Sequence, residues 1–293
     1  MMTAPPTSVP VAVVQSRPGA DVGANFEDIR QAAVAAQSDG AQLVVFPEYS
    51  HYFTPKLEPS WLQAAEPLDG PFVTRMAHLA AELRVFLVAG VIEAVDGGAR
   101  FSNTLVALDP SGALVATYRK LHLYDAFGAR ESDFAAHGPI EPPQTFEVGG
   151  IRVAMQTCYD LRFPEVTRRL VDAGAELVLV PSEWVPGPLK VEHWRTLLAA
   201  RAIENTVYIA AADQATPNGV GTSMVIDPAG VVMATLGDDP GILVAAVDHA
   251  RIAEVRHQNP ALQLRRFTVV PREQQRPVTA VESRDVEGAT AVS

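Results

Sequence analysis

The sequence predicts an α/β fold, because short apolar strands alternate with amphipathic helices along its 293 residues. Val9–Gln15 and residues 42–46 (QLVVF) are apolar runs of strand length. Between them, residues 21–37 carry apolar side chains at helical spacing. No linker-like composition divides the chain, so we predict one domain over residues 1–271. Residues 272–293 are polar and aperiodic, which predicts an extended or disordered C-terminal tail.

The remaining elements are predicted from the same patterns. Asp109-Pro110-Ser111-Gly112 separates two apolar runs, and its turn chemistry predicts a β-hairpin. Residues 121–143 are polar and lack a period, which predicts a long loop that carries function. The other predicted elements are, in chain order, a helix over 71–83, a strand over 85–94, a hairpin around Gly149-Gly150, a helix over Pro164–Ala173, a strand over 176–181, a helix over Leu189–Glu204, a strand over 206–212, a hairpin around 227–230, a strand over 242–247 and a helix over 248–258.

Composition excludes several classes of protein. Acidic residues outnumber basic ones, 34 to 23, which gives a formal net charge of −11. Since no Lys/Arg-rich run is present, we predict neither nucleic acid nor a membrane as a partner. The single cysteine, Cys158, excludes an intrachain disulfide and is typical of a reducing compartment. With no signal-peptide pattern and no apolar run of membrane-spanning length, we predict a soluble cytoplasmic protein.

Three reactive side chains follow predicted strands. Glu48 follows QLVVF through Pro47, Lys120 follows LVATYR, and Cys158 follows IRVAMQT. Functional sites of α/β sheets gather at strand ends, where a carboxylate can accept a thiol proton and an ammonium can stabilise a thiolate or an oxyanion. Taken singly, each residue also has an ordinary interpretation. The cysteine would be buried and structural, the glutamate exposed, and the lysine solvated at a sheet edge.

Three ordered sequence blocks resemble the signature blocks of the nitrilase superfamily of carbon–nitrogen hydrolases. They are residues 43–50 (LVVFPEYS), 118–127 (YRKLHLYDAF) and 158–165 (CYDLRFPE), and residues 201–205 (RAIEN) resemble a later helix end of the family. The likeness covers roughly residues 9–270. The block CYDLRFPE is most similar to the amidase-like Nit branch, the ω-amidases and deaminated glutathione amidases, because true nitrilases typically place Trp-Glu after the cysteine.

The resemblance implies an architecture and an assembly. The family fold is an α-β-β-α two-sheet sandwich, and its subunits usually pair through helices beside the active site. We therefore expect at least a homodimer, joined through the helices over Pro164–Ala173 and Leu189–Glu204, with the tail after Pro271 crossing to the partner. No metal and no organic cofactor is implied.

The resemblance also implies a role for each matching residue. Cys158 is the expected nucleophile and Glu48 the expected general base. Lys120 is expected to stabilise the tetrahedral intermediate, with the amide of Tyr159 as a second donor. A small amide would be hydrolysed to a carboxylic acid and ammonia, or an amine, through a thioester on the cysteine.

The loop after Lys120 supplies a fourth catalytic candidate. A second family glutamate lies there, a few residues before a glycine, and Glu131 of ESDFAAHG matches it. The resemblance implies that Glu131 positions the substrate or the lysine. Asp133 and Glu141 are the alternatives within the same loop.

The substrate-binding candidates lie next to these blocks. Arg162 is a candidate partner for a substrate carboxylate, since a guanidinium binds carboxylates bidentately, and its alternative is a surface or interface ion pair. Glu183 and Trp184 follow a strand and are expected to face the pocket. A glutamate there departs from familiar amidases, and it would disfavour diacids or recruit an amine-bearing substrate. Tyr124 and Phe127 are expected at the entrance or in the core.

Other functions receive less support from the sequence. An N-carbamoyl amidohydrolase or a nitrilase of the same superfamily remains an alternative, as does a non-catalytic interaction protein on the same fold. A fast, low-pKa reaction of the Cys158 thiol would favour an enzyme. Spacings typical of a zinc site, a dinucleotide-binding loop or a serine-hydrolase elbow are missing from the sequence.

Overall fold

The computed structural model of the protein describes residues 8–95 and 97–272. The strands of this part of the chain are β1 (Ser8–Gln15), β2 (Leu43–Val45), β3 (Phe86–Ala94), β4 (Phe101–Leu108), β5 (Leu114–Arg119), β6 (Ala135–Ala136), β7 (Phe146–Val148), β8 (Ile151–Met155), β9 (Leu177–Ser182), β10 (Tyr208–Asp213), β11 (Met224–Ile226), β12 (Val232–Thr235) and β13 (Gly241–Asp248). The α-helices are α1 (Val22–Ser38), α2 (Pro59–Ala64), α3 (Pro71–Leu83), α4 (Pro164–Asp172), α5 (Lys190–Asn205) and α6 (His249–Gln258).

The strands form two mixed sheets. The first has the order β13-β1-β2-β3-β4-β5, with the short β6 paired to β4. The second has the order β12-β11-β10-β9-β8-β7. The central pairs β1/β2 and β2/β3 of the first sheet and β8/β9 and β9/β10 of the second are parallel. The outer pairs are antiparallel, except that β6 pairs with β4 in parallel. The carboxyl ends of the parallel strands therefore lie at common edges, where α/β sheets place their sites.

The core is arranged in three apolar layers. Between the sheets, Val11, Val13 and Leu43 of the first sheet pack with Val153 and Leu179 of the second, and all five side chains are fully buried. Burial of each such side chain stabilises the fold by roughly 1.5–3 kcal/mol. Apolar faces of α1 and α3 cover the outside of the first sheet, and those of α4 and α5 cover the second. The predicted α-β-β-α two-sheet sandwich is confirmed.

Two segments differ from the sequence-based expectation. The short helix α2 was not predicted, since six residues beginning Pro59-Ser60-Trp61 are too few to show a helical period. The predicted loop over 121–143 contains a 3-10 helix, Glu131–Asp133, and the strand β6. The predicted tail lies outside the described residues, except for Arg272.

Two kinds of feature are absent from the described ranges. None of the helices there is long and apolar enough to cross a membrane. Within the same ranges, no group of three or more His, Cys, Asp or Glu side chains is arranged to hold a metal ion.

Candidate active site

Glu48 lies at the carboxyl edge of the first sheet, where Pro47 leads the chain out of the parallel strand β2. Its side chain is fully buried. Gly90 of the neighbouring strand β3 passes directly against it. A Cβ atom at this glycine would lie 2.5 Å from the amide nitrogen of Tyr49 and 2.6 Å from the Cα of Glu48. Only glycine allows the backbone below the glutamate to approach so closely.

The Glu48 carboxylate is held by donors from both sheets. Oε1 accepts hydrogen bonds from Lys120 Nζ at 2.9 Å and from Asn103 Nδ2 at 2.6 Å. Oε2 accepts one from the backbone amide of Glu183, at 2.6 Å. The Glu48 backbone carbonyl accepts a further bond from the Gln214 side chain. These contacts fix the orientation of the carboxylate, because they come from separate strands.

Lys120 lies directly after β5 and bridges two carboxylates. Its side chain is 2% exposed, and Nζ lies 2.9 Å from Glu48 Oε1 and 2.9 Å from Glu131 Oε2. Burial by itself would lower the pKa of Lys120, but the charges of Glu131 and Glu48 outweigh it and hold this pKa well above its ordinary value. The lysine is therefore biased toward its charged form beside the general-base candidate.

Glu131 begins the 3-10 helix and completes the charged cluster. Oε1 accepts bonds from the Tyr49 hydroxyl at 2.6 Å and from Asn103 Nδ2 at 3.0 Å, and Oε2 accepts one from the Tyr124 amide at 2.6 Å. Burial would raise the pKa of Glu131, but Lys120 and these donors lower it below its ordinary value. The structure thus brings Glu131 to the lysine as an ionised carboxylate.

The two alternatives to Glu131 lie elsewhere. Asp133 is exposed and pairs with Arg130 at 3.4 Å. Glu141 lines a separate groove between β5 and α4, and its backbone carbonyl accepts a bond from Arg169. Neither carboxylate contacts Lys120, and Glu131 is the residue of the loop that does.

Cys158 begins a short 3-10 helix, Cys158–Arg162, just after β8 in the second sheet. Its backbone has a φ of 45°, a left-handed conformation that is strained for a residue with a side chain. Sγ donates a hydrogen bond to the backbone carbonyl of Glu183 at 3.3 Å. Burial raises the pKa of the Cys158 thiol well above its ordinary value, the charge of Glu48 adds to this effect, and Lys120 opposes it.

The turn that carries Cys158 is held from two sides. The buried carboxylate of Asp160 accepts bonds from the Tyr118 hydroxyl at 2.8 Å and from the His122 backbone amide at 2.9 Å, which connects the turn to the segment around the lysine. On the other side, Arg201 of α5 donates two bonds to the carbonyl of Leu161, at 3.1 and 2.8 Å. Contacts of this kind set the position of the nucleophile relative to the base.

A narrow pocket opens onto the cysteine. Its lining residues are Tyr124, Cys158, Tyr159, Arg162, Trp184, Val185 and Lys190. Three of the predicted substrate-binding residues therefore face it: Tyr159, Arg162 and Trp184. The amide of Tyr159 lies in the first turn of the 3-10 helix, where amides lack acceptors within the helix. The expectation of Tyr124 at the entrance also agrees with this lining.

Glu183 contributes to the site through its backbone. Its amide donates to Glu48 Oε2, and its carbonyl accepts from Cys158 Sγ, so one residue bridges the base and the nucleophile. Its side chain lies outside the pocket lining given above. Burial raises the pKa of the Glu183 carboxyl well above its ordinary value, and the charges of Glu48 and Asp213 raise it further. This carboxyl is therefore biased toward its neutral form.

Three residues of the site were missed by sequence reasoning. Asn103 and Tyr49 donate to the carboxylates of the cluster, and Lys190 lines the pocket. A signal existed for Asn103, because an amide in the middle of the apolar strand β4 has to find a buried partner. Tyr49 lies inside the block LVVFPEYS, next to the glutamate. Lys190 offered little signal, because a lysine at a helix start is usually solvated.

Known proteins resemble this chain over most of its length. The family model described as carbon-nitrogen hydrolase matches residues 10–257. A deaminated glutathione amidase from Escherichia coli O157:H7 is 41% identical over 206 residues, which cover 70% of this chain and 78% of that protein. A hydrolase from Mycobacterium tuberculosis is 38% identical over 277 residues, covering 87% of this chain and 97% of the relative.

A solved structure of similar fold carries a modified cysteine. It is an amidase mutant from Nesterenkonia sp. AN1 with the acetamide moiety of fluoroacetamide added covalently at its active-site cysteine. It is 29% identical to this chain and superposes with a TM-score of 0.73, and the match covers 91% of this chain and 97% of the amidase.

Proposed function

Because this chain belongs to the carbon–nitrogen hydrolase family, we propose that it hydrolyses the C–N bond of a small amide through a thioester on Cys158. The observation that carries this proposal is the meeting of three side chains from two sheets. Glu48 and Lys120 are joined at 2.9 Å, and the backbone of Glu183 connects Glu48 to Cys158 with contacts of 2.6 and 3.3 Å. A base, a cation and a thiol are what thioester formation requires.

The first half of the proposed reaction forms the thioester. The thiol proton passes to Glu48 as Sγ attacks the carbonyl carbon of the amide, so that a C–S bond forms. The negative charge that develops on the carbonyl oxygen is stabilised by Lys120 and the amide of Tyr159. The C–N bond then breaks, and ammonia or an amine leaves with the proton held by Glu48. Burial raises the pKa of the Cys158 thiol, so the proposed attack depends on Glu48 to accept the thiol proton.

The second half releases the acid. Glu48 accepts a proton from water, and the hydroxide equivalent adds to the thioester carbonyl. The C–S bond breaks, the carboxylic acid leaves, and the sulfur recovers the proton from Glu48. Lys120 again faces the oxyanion. Glu131 acts by positioning, since it holds Nζ of the lysine and keeps it charged.

The substrate is proposed to carry a carboxylate that binds Arg162. The guanidinium of this residue lies 4.9 Å from the centre of the Trp184 ring, and its Nε is buried without a hydrogen-bond partner in the described ranges. Within those ranges Arg162 makes no ion pair, which argues against the alternative of a surface salt bridge. An arginine left open in a pocket is suited to a carboxylate. The name of the deaminated glutathione amidase relative supports an acid-bearing amide.

We also propose that residues 1–271 act as one hydrolase domain in the cytoplasm, where a lone thiol stays reduced. Two copies are proposed to associate through α4 and α5, which flank the nucleophile turn. Leu189 and Ile203, at the two ends of α5, are 64% and 49% exposed, so apolar surface is available there. Sedimentation equilibrium should give twice the chain mass, and a monomer at micromolar concentration would contradict the pairing.

Replacement of the nucleophile is the direct test of this function. Cys158→Ala should lower amide hydrolysis by about 10⁴-fold or more, because the thioester can no longer form. The melting temperature should stay close to that of the wild type, because only one sulfur atom is removed. The assay measures ammonia or amine release from a panel of neutral amides, acid-bearing amides and N-carbamoyl compounds. Trapping of an acyl group on Cys158, detected by mass spectrometry, gives an independent readout.

Two results would contradict the proposal. One is full amide hydrolysis by the Cys158→Ala protein. The other is a wild-type protein that hydrolyses only N-carbamoyl compounds or nitriles, which would place it in another branch of the family. Cys158→Ser is the matched variant, since it keeps a nucleophilic group of similar size with weaker reactivity at neutral pH.

A further inference from the structure

Lys190 is a buried cation in the substrate pocket that the proposed reaction does not use. The side chain lies at the start of α5, and the residue is 6% exposed. Nζ donates to the Tyr124 hydroxyl at 2.8 Å and lies 4.3 Å from the centre of the Phe127 ring and 5.9 Å from that of Trp184. The chain has only two other lysines: Lys56 is exposed, and Lys120 is neutralised by two carboxylates. In the described ranges Lys190 has no carboxylate partner.

Arg162 shares the same aromatic walls. Its guanidinium carbon lies 4.9 Å from the ring centre of Trp184 and 5.7 Å from that of Phe127. Its Nη2 contacts His193 Nδ1 at 3.3 Å. The two cations that line the pocket thus meet aromatic faces, a hydroxyl and an imidazole.

The charges of this pocket are not balanced by the protein. Burial lowers the pKa of Lys190, the charge of Arg162 lowers it further, and Cys158 and Glu183 act in the opposite direction. The Cys158 thiol and the Glu183 carboxyl are themselves biased toward their neutral forms. Two like charges held together with little water are costly, and an anionic ligand would offset that cost.

Tyr124 adds a donor aimed at the same place. Its hydroxyl oxygen accepts the bond from Lys190, so its own proton is left for another acceptor. Burial raises the pKa of Tyr124 to about 12, so the hydroxyl keeps that proton at neutral pH. An ammonium and a phenol side by side can together hold both oxygens of one carboxylate.

We propose that Lys190 and Tyr124 form a second acid-binding position, so that the protein selects ligands with two acidic groups, one at Arg162 and the other at Lys190. The identification of these ligands as substrates rests on the proposed amidase function. The binding position itself does not rest on that function, because it depends only on the residues of the pocket.

Binding to the inactive Cys158→Ala protein tests the position without turnover. Titration calorimetry compares the unbranched dicarboxylates of four to seven carbons with the monocarboxylates of equal length. The tightest dicarboxylate should bind better than its matched monocarboxylate. Adding Lys190→Met should raise the dissociation constant of that dicarboxylate by about 10-fold or more, the size expected from loss of one charge-assisted contact. The monocarboxylate should change by less than about twofold, since Arg162 still binds it.

Matched variants separate charge from structure. Lys190→Arg in the same background keeps a cation of similar reach, so it should retain dicarboxylate binding within about threefold. Lys56→Met removes an exposed lysine and should leave both ligands unchanged. Circular dichroism and melting temperature confirm that each variant is folded.

Three results would overturn the inference. The first is an equal loss of both ligand types in Lys190→Met, which would mean that one carboxylate is shared by the two cations. The second is no loss of either. The third is dicarboxylate binding no tighter than monocarboxylate binding. A wild-type protein that hydrolyses no amide would reject the proposed function alone, because the calorimetric result stands without turnover.

Discussion

Two groups of charged side chains lie side by side in this molecule and are built in opposite ways. In the catalytic cluster, Lys120 meets the carboxylates of Glu48 and Glu131, and Asn103 donates to both of them. In the pocket, the cations Lys190 and Arg162 meet aromatic faces and have no carboxylate partner in the described ranges. The charges of the catalytic cluster are therefore paired within the protein, whereas those of the pocket are not.

The difference separates chemistry from recognition. A cluster whose hydrogen bonds are already made does not need to rearrange during reaction, which is the condition for effective electrostatic catalysis. A pocket whose cations lack partners gains stabilisation only when an anion enters it, so its energy is available for selecting a ligand. Mutations in the two groups should therefore have distinct effects on stability and on activity.

The largest expected effect is that of Lys120→Met. Removal of this cation leaves two buried carboxylates facing each other, so the free energy of unfolding should fall by about 3–5 kcal/mol and turnover should be lost. By contrast, Lys190→Met removes an uncompensated charge and should leave the free energy of unfolding unchanged or higher. Urea denaturation followed by circular dichroism measures both. Equal destabilisation by the two variants would abolish the distinction between the groups.

A smaller effect is expected at Asn103, which we regard as a positioning residue. Asn103→Leu keeps the volume but removes the donor shared by Glu48 and Glu131, so the free energy of unfolding should fall by about 1.5–3 kcal/mol. The folded-state pKa of Glu131 is depressed, so its contribution to stability is present above the unfolded pKa and is lost as the pH falls through the folded pKa. Without the donor, this loss should begin at a higher pH.

The acid limb of the profile of kcat against pH measures this change in the pKa of Glu131. It should move to higher pH in Asn103→Leu, whereas a variant with a purely structural defect would keep the limb in place and lose amplitude. Asn103→Asp is the matched variant. It keeps the shape and adds a third carboxylate to the cluster, so it should be less stable at pH 8 than Asn103→Leu.

The smallest effect is expected at Glu183, whose backbone holds the site. Glu183→Gln keeps both backbone contacts and mimics a neutral carboxyl, so kcat at neutral pH should stay within about fivefold of the wild type. The raised folded-state pKa means that the wild-type carboxyl contributes stability below the unfolded pKa of about 4.3 and loses it as the pH rises toward the folded value. The Gln variant should therefore be the more stable protein at pH 8 and show no such decline. A large loss of kcat at neutral pH would instead assign a direct role to the side chain.

Much of this organisation could be predicted from the sequence, because it follows from strand order. Glu48 and Cys158 each follow a strand in a parallel pair, one in each sheet, and the carboxyl ends of such strands lie at a common edge of their own sheet. The α-β-β-α layers follow from apolar strands alternating with amphipathic helices, together with the family resemblance. The second carboxylate of the cluster, Glu131, is predicted only through its matching block, since its loop has no period of its own.

What could not be predicted depends on contacts between distant segments. The backbone role of Glu183 requires β9 of one sheet to face β2 of the other, and no local pattern encodes that distance. The raised pKa of Cys158 comes from burial, and the residues around Cys158 in the sequence do not show how deeply it is buried. Lys190 is buried because Tyr124 and Phe127, 66 and 63 positions earlier, fold over it.

The base and the nucleophile belong to different sheets, and this determines how the protein should lose its activity. Glu48 and Lys120 follow strands of the first sheet, whereas Cys158 and Glu183 follow strands of the second. Any loosening of the interface between the sheets separates the 2.6 Å contact between Glu48 and Glu183 before either sheet loses its own hydrogen bonds. Activity therefore depends directly on the packing between the two sheets. Under gentle heating or at low urea, inactivation should precede the loss of secondary structure. The first sign of separation of the sheets would be an inactive protein with an unchanged circular dichroism spectrum.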